Sequence, residues 1–418
     1  MARQMTAMSL RLPRPARQLL AARTVISIGQ GTMGVDFALY ARALRWSPGF
    51  LGAVVGAGLL LGGVLTGAGG PLSDRFGRKP FLLAYLAVVA AVAGLAAFSA
   101  NTVVVAGAAI VAGFGRGAVG VPGVFGAVQQ AWLSDQIAGP GLSRALARNA
   151  AMGFFATAVG TFLGGLPHLW RSALPGALGY RPLFALVAIT TVVSLALLAL
   201  VPESRYTAPT QSGLSEADSA QAAENRLLVR VAGINALNGV GIGLAGPLLS
   251  WWLAERFGAG PAQIGPAIGL VLLASGCASL VAGRLATRYG LVRVVIAMRA
   301  AGLALMVAMP FAPTFGWAIG AYAARTVLNR GTAGQRQALV LSAVRGHRRG
   351  LAASVSGVST QLPRAIGPWV AGLMFGAGWF AAPFLLAATF QGAYLALYRP
   401  VFADLDRKLT RRSAIFMD

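Results

Sequence analysis

The sequence predicts an all-α membrane protein, with twelve transmembrane helices in two pseudo-symmetric six-helix bundles. Three observations carry that prediction. Charged residues are only 11% of the 418 and apolar residues 56%, whereas a soluble domain carries about 25% charged residues; this surface cannot mostly face water. The apolar residues fall into runs close to the roughly 20 residues that a helix needs to cross a bilayer. The runs group as six and six around one long polar break, and short patterns recur across it at nearly constant offsets.

The elements follow in chain order. A basic arm over 1–18 holds Arg3, Arg11, Arg14 and Arg17. The next apolar run contains Arg23 and Asp36 and lacks a small-residue cleavage site, so it reads as a first span rather than a removable leader. Spans are expected near 19–43, 49–70, 81–99, 102–124, 149–169 and 182–201, which make the N-terminal bundle over 19–201. The segment 202–226 holds four of the 11 acids, Glu203, Glu216, Asp218 and Glu224, and has the composition of a flexible linker. Spans near 227–253, 261–283, 293–311, 314–340, 351–375 and 379–399 make the C-terminal bundle over 227–402, and a basic tail occupies 403–418. The 55 glycines suit close helix packing in lipid.

Charge placement orients the chain. With both termini cytoplasmic, the cytoplasmic segments hold 23 basic residues and the external ones five: Arg42, Arg45, Arg171, Arg181 and Arg256. That bias satisfies the positive-inside rule and predicts an inner-membrane protein with cytoplasmic N- and C-termini. Trp46, Trp170, Trp251, Trp252 and Trp379 fall at external span ends and Trp132 near an internal one, where indoles favour the membrane interface.

Several function classes are excluded. A net charge of +24 in a soluble protein suggests nucleic acid, but here the basic residues sit between apolar runs and the lipid bilayer is the partner. The single cysteine, Cys277, allows no internal disulfide, and His168 and His347 lie far apart, so no metal site is expected. No phosphate-binding loop occurs, so an ion gradient rather than ATP is the expected energy source. No nucleophile–base pair or metal cluster appears in the spans, so the protein is expected not to be an enzyme and to need no cofactor; the sequence leaves the oligomeric state open, with a monomer as the default expectation.

The internal repeat is specific. Pro48 and Gly52 recur as Pro261 and Gly265, and Gly70, Leu72, Arg75 and Gly77 as Gly283, Leu285, Arg288 and Gly290, both at an offset of 213. Gln130-Ala131 recurs as Gln337-Ala338, and Gly160 and Gly165 as Gly367 and Gly372, both at 207. Duplicated halves mark secondary transporters, with a substrate path at the repeat interface.

The loop after the second span reads Gly70-Pro71-Leu72-Ser73-Asp74-Arg75-Phe76-Gly77-Arg78-Lys79. It resembles the G-x-L-a-D-R-x-G-R-K signature of the major facilitator superfamily, and Gly283–Gly290 is its degenerate copy. In the fourth span Arg116-Gly117-Ala118-Val119-Gly120 resembles the family's R-x-x-q-G pattern, with Val in place of Gln. In the fifth, Gly160-Thr161-Phe162-Leu163-Gly164-Gly165 resembles the exporters' G-P-x-x-G-G pattern, with Thr in place of Pro, while the closer copy Gly367-Pro368-Trp369-Val370-Ala371-Gly372 lies in the other half. The resemblance implies the major facilitator fold and alternating access. It implies that Gly70, Asp74, Arg75, Gly77 and Arg78 gate conformation, with Asp74 against the start of the eleventh helix near Leu351.

Charges inside the spans supply the candidate site. Asp36 is the only carboxylate, accompanied by Arg23, Arg116, Arg299, Arg325, Arg330, Arg336 and Arg364. Each costs about 3 kcal/mol at the centre of a lipid-facing helix, so each must face an interior, pair or snorkel. Arg23, Arg299 and Arg336 lie near cytoplasmic ends, and snorkelling is expected for them. Arg325 and Arg364 are deeper and, with Gln30, Asn235, Asn238, Asn329 and Gln361, form the expected substrate cavity. The resemblance implies that Asp36 and Arg116 couple a proton, since exporters of the family often pair a first-span acid with the fourth-span Arg. At 1.5 Å per residue the two lie roughly 10 Å apart along the membrane normal. The resulting expectation is proton-coupled export of a small organic solute. One alternative is uptake or exchange of an anionic solute, and another, of a different class, is a non-transporting receptor or scaffold.

Overall fold

In lipid every backbone amide must find its partner within the element, and helices satisfy that demand. All the regular elements among the described residues are helical. The computed structural model describes residues 13–116, 123–137, 141–203, 218–289, 291–332, 336, 339–340, 344 and 349–415.

The helices are α1 (Arg14–Ala43), α2 (Pro48–Phe76), α3 (Arg78–Phe98), α4 (Thr102–Ala112), α5 (Val124–Gln136), α6 (Gly141–Leu163) and α7 (Arg181–Ala199) in the first half. The second half has α8 (Asp218–Ala245), α9 (Leu249–Phe257), α10 (Pro261–Tyr289), α11 (Leu291–Ala308), α12 (Phe315–Gly331), α13 (Arg349–Arg364), α14 (Ile366–Gly376) and α15 (Ala382–Ile415). Among the described residues, six segments are long and apolar enough to cross a bilayer: Pro48–Phe76, Arg78–Phe98, Arg148–Trp170, Gly176–Ala199, Glu224–Phe257 and Val292–Phe311; Thr102–Ala112 and Pro261–Ser275 are shorter apolar helices.

Three expected spans are interrupted for local reasons. The fourth, expected over 102–124, is broken: α4 starts at Asn101, whose Oδ1 accepts from the backbone N–H of Val103 at 2.8 Å, and stops at Gly113 in the left-handed region (φ 73°). Gly115 follows at φ 74°, and a residue with a side chain rarely adopts that conformation. The seventh divides at Gly246–Leu248 into α8 and α9, and the eleventh at Ala365 into α13 and α14. Part of the linker is ordered, because α8 begins at Asp218; the rest of it, 204–217, lies outside the described residues.

The chain divides into two compact units that are not contiguous in sequence. The first comprises Met1–Arg45, Leu61–Thr210 and Gly260–Gly269; the second comprises Trp46–Leu60, Gln211–Ala259 and Leu270–Asp418. In the first unit α1 packs on α6 and α7, and α3 on α7. The α1–α6 crossing is backbone on backbone: a Cβ on Gly31 would fall on the Thr157 carbonyl oxygen, and one on Gly160 on that of Ile28. Leu19, Leu82, Leu86, Phe125, Trp132 and Leu198 form an apolar core beside it.

In the second unit α8 packs on α13, α14 and α15, and α11 on α12 and α15. Gly243 meets the Arg364 carbonyl oxygen and Gly367 meets Gly243. Gly243 and Gly367 stand at offsets of 212 and 207 from Gly31 and Gly160, so the sequence repeat is also a repeat of one helix crossing. Trp132, Trp251 and Trp252 are buried among side chains rather than set at an interface; Trp251 stacks on Phe375 at 5.3 Å, and Trp252 meets Phe384 edge-on at 4.8 Å. Trp379 is 62% exposed, as an interfacial indole should be.

Candidate functional site

The first unit holds the lone membrane carboxylate. Asp36, on α1, is fully buried, and neither carboxylate oxygen has a hydrogen-bond partner among the described residues. Its room comes from Gly164, just past the end of α6, where a Cβ would fall on Asp36 Oδ2. Tyr180 lies within electrostatic reach of the carboxyl. Tyr180 packs on Tyr40 (5.7 Å between ring centres), Tyr40 on Phe184 (5.0 Å), Phe184 on Phe114 (5.4 Å) and Phe114 on Phe37 (6.1 Å). The carboxyl is thus held beside an aromatic cluster. A charged carboxylate is costly in such a place, and a proton neutralises it.

The break after α4 brings Arg116 toward α1, because Gly115 N–H donates to the Met33 carbonyl at 3.0 Å. The Arg116 guanidinium packs over Gly113 and lies 2.8 Å from where a Cβ on Gly62 would stand. The three glycines Gly62, Gly113 and Gly123 clear the space it occupies. Asp36 takes no hydrogen bond from it. Gln30, also on α1, is half-buried.

The loop signature lies in the same unit. Gly77 turns the chain at φ 92° between α2 and α3, and a Cβ there would meet the Glu203 carboxylate. Lys79 donates to the Ala199 carbonyl at the end of α7 at 2.8 Å. Asp74 pairs with Arg78 at 3.6 Å, Ser73 donates to the Gly70 carbonyl at 2.9 Å, and Arg75 stacks on Phe76. The turn is therefore tied to the end of the sixth span.

The second unit holds the arginines. Arg299, expected to snorkel, points inward instead: it is 5% exposed, donates to Asn238 Oδ1 at 2.9 Å and stacks on Tyr394 at 4.8 Å. It feels the charges of Arg336 and Arg325, and Arg325 feels that of Arg330. Arg325 is 9% and Arg364 1% exposed. Asn329 Oδ1 lies 2.9 Å from where a Cβ on Gly302 would stand. Asn235 donates to the Ser356 hydroxyl at 3.1 Å, and Gln361 is half-buried on α13. Arg299, Arg325, Asn238 and Asn329 thus gather, while Asn235 is taken up by a bond to α13. Arg23 likewise turns inward, over the Phe125 ring. An apolar hollow of about 520 Å³ in the second unit, lined by Leu305, Thr314, Gly316, Trp317, Gly320 and Ala321, contains none of these residues.

Some polar groups here carried no sequence signal. Gln129 and Asn149 exchange amide hydrogen bonds at 3.0 and 3.2 Å, fully inside the first unit, and Gln129 also donates to the Leu19 carbonyl. Gly164, Tyr40 and Tyr180 became part of the Asp36 site only through packing.

The model of the Major Facilitator Superfamily matches residues 19–230 and, separately, 231–413. The chain belongs to the Major Facilitator Superfamily. No curated protein sequence matches it significantly. Among solved structures it is similar to the nucleoside transporter NupG (11% identity, 93% of this chain and 99% of that one, TM-score 0.68) and to a D-xylose-proton symporter (16%, 90% and 96%, 0.66). It is also similar to the human organic anion transporter MFSD10 (18%, 92% and 100%, 0.60). At these identities the likenesses establish the all-α major facilitator fold. Membership makes the protein a multi-pass secondary transporter of a small solute and not an enzyme.

Proposed function

We propose that this major facilitator protein exports a small organic solute across the inner membrane by alternating access, in exchange for protons that bind Asp36. The observation that carries the proposal is Asp36 itself: a fully buried carboxyl whose oxygens accept no hydrogen bond from the described residues. A permanent structural ion pair would occupy those oxygens. A group that alternately gains and loses a proton needs them free in the protonated state. Arg116, near the same stretch of α1, is the cation that favours proton release when the helices rearrange. The loop Gly70–Lys79 is the conformational latch in this scheme, held here by the Lys79 bond to Ala199 and the Asp74–Arg78 pair. Both termini and the 202–226 segment lie on the cytoplasmic side, as the 23-to-5 basic bias requires.

The test uses protein reconstituted in liposomes with a trapped pH dye and a panel of a lipophilic cation, a nucleoside, a pentose and an organic anion. Wild-type protein should show proton flux driven by at least one solute gradient. Asp36→Asn should abolish that flux and leave solute counterflow measurable. An Asp36→Asn protein that still concentrates solute with wild-type pH dependence removes Asp36 as the coupling group.

A further inference from the structure

We infer that the second unit contains a binding site for an oxyanion, a carboxylate or phosphate group, built by Arg299 and Arg325 with Asn238. The inference deepens the transport proposal by giving the solute a charge, and its carried-solute arm rests on that proposal.

Arg299 stands about 12 Å along α11 from its first residue, and Arg325 about 15 Å along α12. Each is more than nine-tenths buried. Neither forms an ion pair with a carboxylate of the described residues. Arg299 has neutral neighbours, the Asn238 amide oxygen and the Tyr394 ring. Arg325 has the neutral Tyr322 nearby, and its Nε–H has no acceptor. Among the described residues the charged side chains that act on the two are positive: Arg336 and Arg325 on Arg299, and Arg330 on Arg325.

Buried cations that repel one another are tolerated only when something supplies negative charge. The acids of this unit with described side chains, Glu224 and Glu255, lie toward helix ends, and Glu255 is exposed. Among the described side chains of this unit, then, none supplies the missing negative charge, and a bound oxyanion would. Guanidinium groups present paired N–H donors that match the two oxygens of a carboxylate or phosphate. Asn238 uses its oxygen on Arg299, which leaves its amide N–H groups to donate to the same anion. Tyr394 stacks on one face of Arg299 and fixes its plane.

The oxyanion could belong to a carried solute or to a lipid headgroup, and the experiment separates them. The full chain is purified into phosphatidylcholine nanodiscs, and its thermal midpoint is followed against sodium benzoate or sodium phosphate at constant ionic strength. Saturable stabilisation is expected for at least one of them, since a ligand that binds only the folded state stabilises it in proportion to ln(1 + [L]/Kd). Arg299→Gln and Arg325→Gln should raise the half-saturating concentration at least about tenfold. Should a Gln variant fail to fold, Arg299→Lys and Arg325→Lys keep the charge but lose the fork, and a weakening of about threefold or more is expected. In the lipid arm, protein extracted from membranes rich in phosphatidylglycerol is examined by native mass spectrometry. A lipid retained by the wild type and lost in the same variants supports the site and assigns it to a headgroup. Absence of saturable binding in both arms, or equal binding in wild type and every variant, overturns the inference. Anion binding without solute flux in liposomes keeps the site and removes the transport proposal; flux without anion binding does the reverse.

Discussion

Gly164→Ala is the sharpest probe of the Asp36 site. The new Cβ falls on Asp36 Oδ2, 3.0 Å from Asp36 Cγ and 3.2 Å from the Thr161 carbonyl oxygen. The carboxyl cannot stay where it is. Parting the helices would break the close α1–α6 crossing, where the Gly160 Cβ position lies 2.8 Å from the Ile28 carbonyl carbon and 3.0 Å from Gly31 Cα. The side chain must rotate into the aromatic cluster or the α1–α6 crossing must open. Overpacking of this kind costs about 1–3 kcal/mol, which at about 1.4 kcal/mol per factor of ten corresponds to a loss of roughly ten- to a hundredfold if it falls on the coupling step. Gly107→Ala, at a position with open space around it, is the control. Solute-driven proton flux and the thermal midpoint are measured together. Gly164→Ala should lower both and displace the pH profile, while Gly107→Ala changes neither. A Gly164→Ala protein with the wild-type midpoint and pH profile would show that Asp36 is not confined by α6, and the site as described would fall.

Two further predictions concern the latch and the orientation. Asp74 is 42% exposed and its pair with Arg78 spans 3.6 Å, so the pair contributes less than about 1 kcal/mol. Asp74→Asn should therefore leave the thermal midpoint unchanged yet reduce transport and alter the spin-label distance distribution across the cytoplasmic side; an unchanged distribution refutes the latch. Protease added outside intact spheroplasts should spare 202–226, the N-terminal arm and 403–418, and cleavage in 202–226 would invert the orientation.

Six of the twelve expected spans coincide with described helices long and apolar enough to cross a bilayer, because the cost of placing polar groups in lipid is set residue by residue and so is written along the chain. Hydropathy was less informative where glycines cluster. The expected span over 102–124 breaks at Gly113 and Gly115, since two left-handed glycines flanking Phe114 end a helix that composition would have continued. Arg299 shows the same limit for a side chain. Its position near a cytoplasmic end suggested snorkelling, but Asn238 and Tyr394, from other helices, offered it a bond and a ring inside the bundle.

The sequence by itself determined the class of protein, the two-fold repeat and the rarity of its membrane charges: one carboxyl, Asp36, among seven arginines. Those properties depend on local composition and on spacing, which need no fold to be read. Only the tertiary structure decided what surrounds each charge. Gly164 and Tyr180 reach Asp36, and Asn238 reaches Arg299, across long stretches of chain, through helix crossings close enough to bring backbone against backbone at Gly31, Gly160, Gly243 and Gly367. Side chains from different helices become neighbours through the rotation and depth of each helix at its crossing. Those quantities arise from packing many residues at once, and no single segment encodes them.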